Sequence, residues 1–213
     1  TQGDAPIHYT LDGSEPTAAS PRYTGPVEIG KSAHFRATAL REGGENASYS
    51  REFAFSKSTG RPAVLNTKPN DSYTFEGASL LVDGYHSRPV FTSGAWLGYL
   101  DEPLDVTIDM GGEQSYRSVE LETLAEKGDW IFPPSSVTVW VSDNGTDFTE
   151  VASVTVPEAK AGDADGIGRY RMQFPETSAR YLKVVAQNAA AIPAWHPGAG
   201  SKGFLFVDEI VVE

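Results

Sequence analysis

Two adjacent acidic residues near the end of the chain, Asp208 and Glu209, are the most direct candidates for catalysis. Hydrolysis of a glycosidic bond needs two carboxyl groups facing one sugar, or an Asp that orients an acetamide beside a Glu that acts as the acid. The apolar run around the pair, residues 204–212, predicts a β-strand. Because successive side chains of a strand point to opposite faces, we expect the two carboxylates not to converge on a substrate.

Other catalytic and metal-binding patterns are absent from the sequence. The four histidines, His8, His34, His86 and His196, lack the His-x-x-x-His spacing that places two zinc ligands on one helical face. There is no Gly-x-Ser-x-Gly elbow, no Gly-x-x-x-x-Gly-Lys-Ser/Thr phosphate loop and no Cys. The residues therefore predict a chain without enzyme activity of its own and without a transition-metal site.

Three long segments, residues 84–96, 122–136 and 188–203, are rich in aromatic and polar side chains. Sugar recognition combines an aromatic face, which packs on the apolar side of a pyranose, with a few charged or amide groups that bind hydroxyls. The side chains that meet this need are Trp195, His196, Trp130, Tyr85, His86 and Arg88. They are our candidate carbohydrate ligands, with the alternative that residues 130–134 plug a core. We expect Trp96 and Trp140 to be packing residues.

Short alternating runs separated by Gly, Pro, Asn and Asp predict an all-β fold. In the run 33–40, Phe35 and Ala37 share one face while His34 and Arg36 share the other, as in a half-buried strand. Asn144 and Gly145 predict a hairpin turn. Predicted strands cover residues 7–10, 33–40, 50–55, 106–110, 118–121, 137–141, 151–156, 170–174, 180–185 and 204–212.

The polar stretch 56–62 contains Gly and Pro and has the composition of a domain boundary. We predict a small immunoglobulin- or fibronectin-like β-sandwich over residues 1–58 and a jelly-roll β-sandwich over residues 62–213. The chain starts abruptly at a predicted strand, which indicates that an upstream part was removed and that the first domain is truncated at its start.

Composition excludes several classes of partner. The chain has 213 residues, 29 acidic and 17 basic side chains and a net charge of -12. Nucleic acid is a poor partner because binding to it depends on Lys and Arg that neutralise phosphates. No apolar run approaches the roughly 20 residues of a membrane helix. The absence of Cys excludes disulfides and fits both the cytoplasm and many bacterial exported proteins.

Two stretches of the sequence resemble known families. Residues 7–17, IHYTLDGSEPT, and residues 20–26, SPRYTGP, resemble the small domain that follows the catalytic barrel in bacterial chitobiases and β-N-acetylhexosaminidases. Residues 81–84, 96–99, 106–111, 139–148 and 179–184 resemble the coagulation factor 5/8 type C, or discoidin-like, fold, which in bacterial enzymes is carbohydrate-binding module family 32. Residues 195–200 and 204–210 are similar to the version attached to family 20 hexosaminidases.

This resemblance implies the C-terminal part of a secreted, periplasmic or cell-surface bacterial glycoside hydrolase that lacks its catalytic barrel. It also implies a structural calcium ion between the loop that opens the second domain and its last strand. Asp83, Ser87 and Glu209 are the implied ligands, and carbonyl oxygens near Leu80 and His86 complete a shell of six to eight oxygens. In the alternative, Asp83 only shapes a turn and Glu209 pairs with an Arg or Lys.

Three functions are compatible with these residues. The first is a module that targets an upstream hexosaminidase to glycans, with terminal galactose, N-acetylgalactosamine or N-acetylglucosamine as ligands. The second is a structural region that packs against the catalytic domain or a partner protein without binding sugar. The third is an adhesin-like domain that binds protein. Exposure of Trp195, His196 and Arg88 around one cleft would favour the first.

Overall fold

The computed structural model describes residues 5–41, 43 and 46–213. It divides the chain into two compact units, Thr1–Phe55 and Ser56–Glu213. Residues 1–4, at the start of the predicted first domain, and Gly44, in the segment between two predicted strands, lie outside the described residues. Strands form the regular structure of both units, and the helices of the described residues are short 3-10 segments. The all-β prediction is confirmed.

The first unit contains a three-stranded antiparallel sheet of β1 (Ile7–Thr10), β2 (Ala33–Ala39) and β3 (Ala47–Phe53), in the order β1-β2-β3. The predicted alternation is present, but the buried side chains of this sheet, His8 and Thr38, lie on its polar face. The reason is that residues 11–22 cross that face: His8 Nδ1 donates to the carbonyl of Ser20 at 2.7 Å. The face that carries Phe35 is only half-buried.

The second unit is a β-sandwich in which two long strands contribute to both layers. The strands are β4 (Ala63–Leu65), β5 (Leu97–Tyr99), β6 (Leu104–Ala125), β7 (Ser136–Ser142), β8 (Thr149–Thr155), β9 (Gly166–Gln187) and β10 (Leu205–Val212). The first half of β6 pairs with β4 and the second half of β9, and β9 continues to β7 and β8. The second half of β6 pairs with β10 and the first half of β9. Register shifts after Asp109 and Tyr116 mark the bend between the layers.

The main core of the second unit lies between the two layers. Alternate residues of β6, such as Val106, Ile108 and Leu121, are fully buried there and pack with Leu182 of β9 and Ile210 of β10. Burial of a side chain of this size stabilises a fold by about 1.5 to 3 kcal/mol. This core gives the loops at the ends of the sandwich a rigid base.

A smaller core lies on the outer face of β6 and β10. Trp96, Leu124, Ile131 and Phe206 form it, with Tyr73 packed against it. It is covered by the long connection from β4 to β5, which contains the 3-10 helices Asp71–Tyr73, Gly77–Val82 and Phe91–Ser93. The fourth 3-10 helix, Lys127–Asp129, follows β6. Trp96 is fully buried, as a packing residue should be, and Trp140 is half-buried.

The stretch that the composition assigns to a domain boundary packs onto the last strand of the second unit. Ser58 is fully buried and its hydroxyl donates to the carbonyl of Ile210 at 2.5 Å. The backbone N–H of Lys57 donates to the carbonyl of Val212 at 3.0 Å. Residues 56–58, which the sequence prediction gave to the first domain, therefore lie in the second unit.

The predicted hairpin is confirmed. β7 and β8 pair antiparallel, and Gly145 between them has a φ of 76°, a left-handed conformation that glycine adopts without a steric penalty. The Asn144 Oδ1 atom accepts the backbone N–H groups of Thr146 and Asp147, each at 2.9 Å, which closes the turn. None of the helices in the described ranges has the length and apolar character needed to cross a membrane.

Candidate functional site

Loops at one end of the sandwich bring two of the predicted tryptophans to the sides of one histidine. The centroid of His196 lies 6.0 Å from Trp130, 5.6 Å from Trp195 and 5.5 Å from Phe132, edge to face in each case. We call these four residues the aromatic loop cluster. Trp130 is 42% exposed and Trp195 is 40% exposed, whereas Phe132 is buried. The cluster therefore presents two indole surfaces to solvent on a buried aromatic base.

Trp130 is held outward by an unusual backbone conformation. Its φ of 64° is left-handed, which costs a bulky residue of the order of 1 to 2 kcal/mol. The turn is fixed because the N–H of Trp130 donates to the carbonyl of Lys127 at 3.0 Å, and the buried Lys127 is paired with Asp165. Strain of this kind is concentrated at functional sites. Of the predicted plug 130–134, Ile131 and Phe132 are buried while Trp130 points outward.

Gly198 allows the last long loop to approach Trp130 closely. A Cβ atom at this position would lie 2.8 Å from two ring carbons of the indole, closer than packed atoms tolerate. A larger residue here would have to push the exposed indole aside, and the glycine backbone covers one side of the ring.

His196 is buried and both of its ring nitrogens have partners within the chain. Nε2 donates to the carbonyl of Lys127 at 2.9 Å, and Nδ1 accepts the N–H of Gly198 at 3.0 Å. This pair of partners assigns the neutral tautomer with the proton on Nε2. Because no ring nitrogen is left over for a hydroxyl, the structure does not support direct hydrogen bonding of sugar by His196. It positions the two tryptophans instead.

Trp195 is anchored by a loop that the sequence analysis did not single out. Its Nε1 donates to the carbonyl of Ala159 at 2.9 Å, which leaves the ring face as the available surface. Beside this anchor lies a cavity of about 400 Å³, lined mainly by apolar residues of three loops, including Pro157, Ala159 and Pro193. No sequence motif pointed to residues 156–162, because the contact uses a backbone carbonyl.

The remaining predicted residues lie with a group of acids between the β4–β5 connection and the outer face of β6 and β10. Asp208 and Glu209 both reach this connection: Asp208 Oδ2 accepts the N–H of Ser87 at 2.8 Å, and Glu209 Oε2 accepts the N–H of Gly84 at 3.1 Å. Their side chains therefore do not point to opposite faces of the sheet as in a regular strand, while the expectation that they do not converge on a substrate stays a prediction. A register shift in the pairing of β10 with β6, between Val207 and Ile210, re-aims them.

Four carboxylic acids define this region, which we call the acidic loop cluster: Asp83 is exposed, whereas Glu122, Asp208 and Glu209 are buried. Burial raises the pKa of Asp208 to about 8, and Glu122 and Asp83 add to the effect. Burial also raises the pKa of Glu209 to about 10, with contributions from Asp83 and Asp208. Glu209 Oε1 is buried and accepts no hydrogen bond. The cluster therefore favours a bound proton or cation.

Glu122 organises a His and an Arg at the edge of the acidic loop cluster. Its buried Oε2 accepts Nδ1–H of His86 at 2.9 Å and Nε–H of Arg169 at 2.8 Å. Arg88 is exposed and Tyr85 is half-buried on the same connection. The sequence analysis missed Glu122 and Arg169, which lie opposite each other on β6 and β9, because a strand pairing that remote is not visible in one sequence.

The acidic loop cluster offers oxygen atoms, which are the ligands that a hard cation prefers. Glu209 has an orphaned buried carboxylate oxygen, and Asp83 and Ser87 lie in the connection that it contacts. Asp83 also shapes the turn, since its Oδ1 accepts the N–H of Tyr85 at 2.7 Å, and Glu209 is in none of the ion pairs of the described ranges. Three or more His, Cys, Asp or Glu never converge as a metal-binding group among the described residues. Backbone carbonyl and hydroxyl oxygens would therefore have to supply most of the coordination shell. Calcium is a cation that binds such neutral oxygens.

The six predicted sugar ligands thus divide between two groups of contacts. Trp130, Trp195 and His196 belong to the aromatic loop cluster, while Tyr85, His86 and Arg88 lie beside the acidic loop cluster. Within the described residues of the second unit, one exposed aromatic residue was missed: Phe75, with a φ of 36°, whose ring centroid lies 6.5 Å from that of Tyr73. The aromatic stretch 73–75 was the available signal, but Phe75 lies outside the three long segments.

Two family models match the chain. Residues 1–51 match the chitobiase/beta-hexosaminidase C-terminal domain, and residues 66–202 match the F5/8 type C domain. The predicted order of the two families is confirmed. No curated protein matches the chain.

Several solved structures are similar to the second unit in fold. Chitosan-binding module 2 from a Paenibacillus sp. IK-5 chitosanase/glucanase, in complex with chitotriose, is 18% identical, with a TM-score of 0.48 over 74% of this chain and 98% of that chain. Module 1 of the same enzyme is 17% identical, with a TM-score of 0.47 and the same coverage. CpGH89CBM32-5 from Clostridium perfringens, in complex with GalNAc-beta-1,3-galactose, is 16% identical, with a TM-score of 0.46 over 71% and 93% of the two chains.

Proposed function

The chain belongs to the F5/8 type C domain family through residues 66–202, and we propose that its second unit is a non-catalytic carbohydrate-binding module. The observation that carries the proposal is the pair of exposed indoles, Trp130 and Trp195, fixed on a buried aromatic base. An indole face packs well on the apolar side of a pyranose ring. Several solved structures of similar fold contain sugars, GalNAc-beta-1,3-galactose and chitotriose among them.

Because the two indole rings are anchored, they form a preorganised binding surface. The Nε1 atom of Trp195 is bound to Ala159, and the turn of Trp130 is fixed by Lys127. Rings that are already immobile lose little conformational entropy when a ligand binds. A single sugar on such an open surface would bind with a dissociation constant in the millimolar range, about -4 kcal/mol.

The finer proposal concerns the protein to which these units belong. The match of residues 1–51 to the chitobiase/beta-hexosaminidase C-terminal domain supports a place after the catalytic domain of an exported bacterial β-N-acetylhexosaminidase. The module would then hold the enzyme near terminal galactose, N-acetylgalactosamine or N-acetylglucosamine. Tethering raises the effective concentration of the catalytic domain at the glycan, so weak binding is sufficient.

Calcium is the cofactor that we propose for the acidic loop cluster. Asp83, Ser87 and Glu209 would hold the ion, and Asp208 would contribute charge beside them. The bound ion would supply the positive charge that two buried carboxylates need in order to ionise. The chain's own contribution is to fix the connection 83–87 against β10, through the hydrogen bonds of Gly84 and Ser87. Stabilising this connection also fixes Tyr85, His86 and Arg88.

A glycan array tests the function directly. We expect the 213-residue chain to bind a defined set of glycans in calcium buffer, and Trp195→Ala and Trp130→Ala to lower the affinity at least about tenfold because each removes a stacking face. Trp140→Phe, on β7, is the matched control and should bind like the wild type. Circular dichroism and thermal melting verify that each variant is folded.

Each other outcome identifies an alternative. Loss of binding only in Phe75→Ala or Arg88→Ala would move the site to the β4–β5 connection. Failure of the folded wild type to bind any glycan would contradict the proposal and favour a structural role in which this region packs against the catalytic domain or a partner protein.

A further inference from the structure

The first unit carries an aromatic surface that the proposed site does not use. Tyr9, Phe35 and Tyr49 lie on one face of its sheet, because Ala37 pairs with both Tyr9 and Tyr49 in the strand register. Tyr9 and Phe35 stack with 5.8 Å between their centroids, and Phe35 meets Tyr49 edge-on at 6.3 Å. The face is thus a continuous row of rings across three strands.

Residues 23–29 turn this row into a cleft. A cavity of about 210 Å³ is lined by Tyr23, Val27 and Ile29 from this segment and by Phe35, Tyr49, Arg51 and Phe53 from the sheet. Tyr23 is 44% exposed and Tyr49 is 48% exposed. The guanidinium of Arg51 lies over the ring of Phe53, 5.7 Å from its centroid. Apart from the tyrosine phenols, Arg51 is the ionisable group of this lining.

The rings are exposed because the unit buries the other face of its sheet. His8 and Thr38 are covered by residues 11–22, while the described residues 5–41, 43 and 46–55 contain no hydrophobic side chain as buried as those of the main core. An exposed aromatic patch of this kind normally marks a binding surface.

We infer that this aromatic cleft is a second carbohydrate site, which takes one pyranose ring stacked on Tyr49 with hydroxyl or carboxylate oxygens of the sugar facing Arg51. Charge complementarity supports this ligand: in a chain of net charge -12, the charged group of the cleft is a cation, which suits hydroxyl or carboxylate oxygens and repels amino sugars with free ammonium groups. The cavity is smaller than the roughly 300 to 1,000 Å³ of drug-sized pockets, so a single ring fits better than a protein surface.

Two sites on two units would give the chain avidity. Simultaneous contact with two parts of one polysaccharide raises the apparent affinity without any new contact, by as much as about 100-fold or more where the spacing allows. Loss of either site should therefore weaken binding to polymers more than binding to monosaccharides.

Four forms of the full chain test this inference on one glycan array: the wild type, Tyr49→Ala, Trp195→Ala and the double variant. We expect each single variant to bind polymeric glycans about tenfold more weakly and the double variant to lose binding. We also expect N-acetylated oligosaccharides to bind the Trp195→Ala variant better than their deacetylated forms. Glu52→Gln, on the same strand but on the opposite face, is the matched control and should change nothing.

The outcomes separate this inference from the proposed function. If Tyr49→Ala binds like the wild type while Trp195→Ala loses all binding, the second site is wrong and the proposed function stands. If Trp195→Ala retains binding that Tyr49→Ala removes, the second site is supported and the proposed sugar site of the aromatic loop cluster is wrong. A change in self-association on sedimentation, without a change in glycan binding, would make the cleft a protein interface and overturn the inference. If Tyr49→Ala does not fold, Arg51→Met replaces it.

Discussion

The aromatic loop cluster and the acidic loop cluster differ in which side chains they bury: the first exposes apolar rings, and the second buries carboxylates. In the aromatic loop cluster, polar atoms such as the two nitrogens of His196 are satisfied within the chain, and the apolar rings are exposed. In the acidic loop cluster, the carboxylates of Asp208 and Glu209 are buried, and one oxygen of Glu209 has no partner.

This difference distinguishes a preformed ligand-binding surface from a site that is stable only when a proton or cation neutralises it. Exposed rings cost little to keep and gain free energy when a sugar covers them. Buried carboxylates cost free energy until a proton or cation neutralises them. We therefore expect variants of the first cluster to change binding, and variants of the second to change stability.

The largest expected effect is a fall in stability with rising pH in the absence of calcium. The folded pKa values of Asp208, about 8, and Glu209, about 10, lie above those of the unfolded chain, near 4. Between these limits the folded state holds more protons, so the free energy of unfolding decreases as pH rises. Each carboxyl lowers the free energy of unfolding by at most about 1.4 kcal/mol per pH unit, so the two together can lower it by up to about 8 kcal/mol between pH 5 and pH 8. Urea denaturation in EGTA measures it.

Addition of calcium and the substitution Glu209→Gln should each reduce the pH dependence of stability. Saturating calcium should remove most of this pH dependence, because the ion replaces the protons. Glu209→Gln, which has the shape of the protonated acid, should weaken both the pH dependence and the response to calcium, whereas Glu150→Gln on β8 should preserve both. A stability that is flat with pH in EGTA would contradict our description of the acidic loop cluster.

The second largest effect is the loss of stability in His196→Ala, because His196 is the buried polar residue of the aromatic loop cluster. If this loss is absent, the contrast between the two clusters is wrong. His196→Ala should lower the free energy of unfolding by roughly 2 to 4 kcal/mol, since it leaves a cavity, leaves the N–H of Gly198 without a partner and removes one of the two hydrogen bonds to the Lys127 carbonyl. Trp195→Ala should cost less than about 1 kcal/mol, because its side chain is substantially exposed. Equal losses in urea denaturation would show that the two residues do not have different roles.

A third, smaller effect measures the strain at Trp130. Trp130→Gly should be more stable than Trp130→Ala by about 1 kcal/mol, because glycine adopts a φ of 64° without a Cβ penalty. Both variants should lose sugar binding to the same extent. Thermal melting of the pair supplies the comparison, and an alanine variant as stable as the glycine variant would show that this turn is not strained.

The smallest effect is expected from Gly198→Ala. The added Cβ would lie 2.8 Å from the Trp130 ring and should tilt it, which lowers affinity a few-fold with little loss of stability. Gly162→Ala meets no atom within 4 Å and serves as the control. Titration with the best glycan of the array measures both, and unchanged affinity in Gly198→Ala would mean that the orientation of Trp130 does not matter.

The fold could be predicted because its signals are local and repeated. Alternation along the strands and the Asn144-Gly145 pair identified the all-β class and the β7–β8 hairpin. The burial pattern of the first unit could not be predicted, because a loop covers the polar face with His8 and Thr38. No single-strand pattern contains that information.

Site residues were predictable by type but not by role. Trp130 and Trp195 were found because they are aromatic residues on long loops, where a rigid scaffold carries its functional residues. The buried role of His196 depends on the carbonyl of Lys127, and the shared contact of Asp208 and Glu209 with the β4–β5 connection depends on a strand bulge. Glu122 and Arg169 could be joined only once β6 and β9 were paired.

The most direct test of the central claim is the two-dimensional NMR spectrum of the four indole N–H groups during titration with a glycan selected on the array. Substitution of each Trp by Phe assigns the signals. We predict shifts of Trp130 and Trp195, which flank His196 in the aromatic loop cluster, while Trp96 in the small core and Trp140 on β7 remain unchanged. Shifts confined to Trp96 or Trp140, or no shift at saturating glycan, would contradict carbohydrate binding at this cluster.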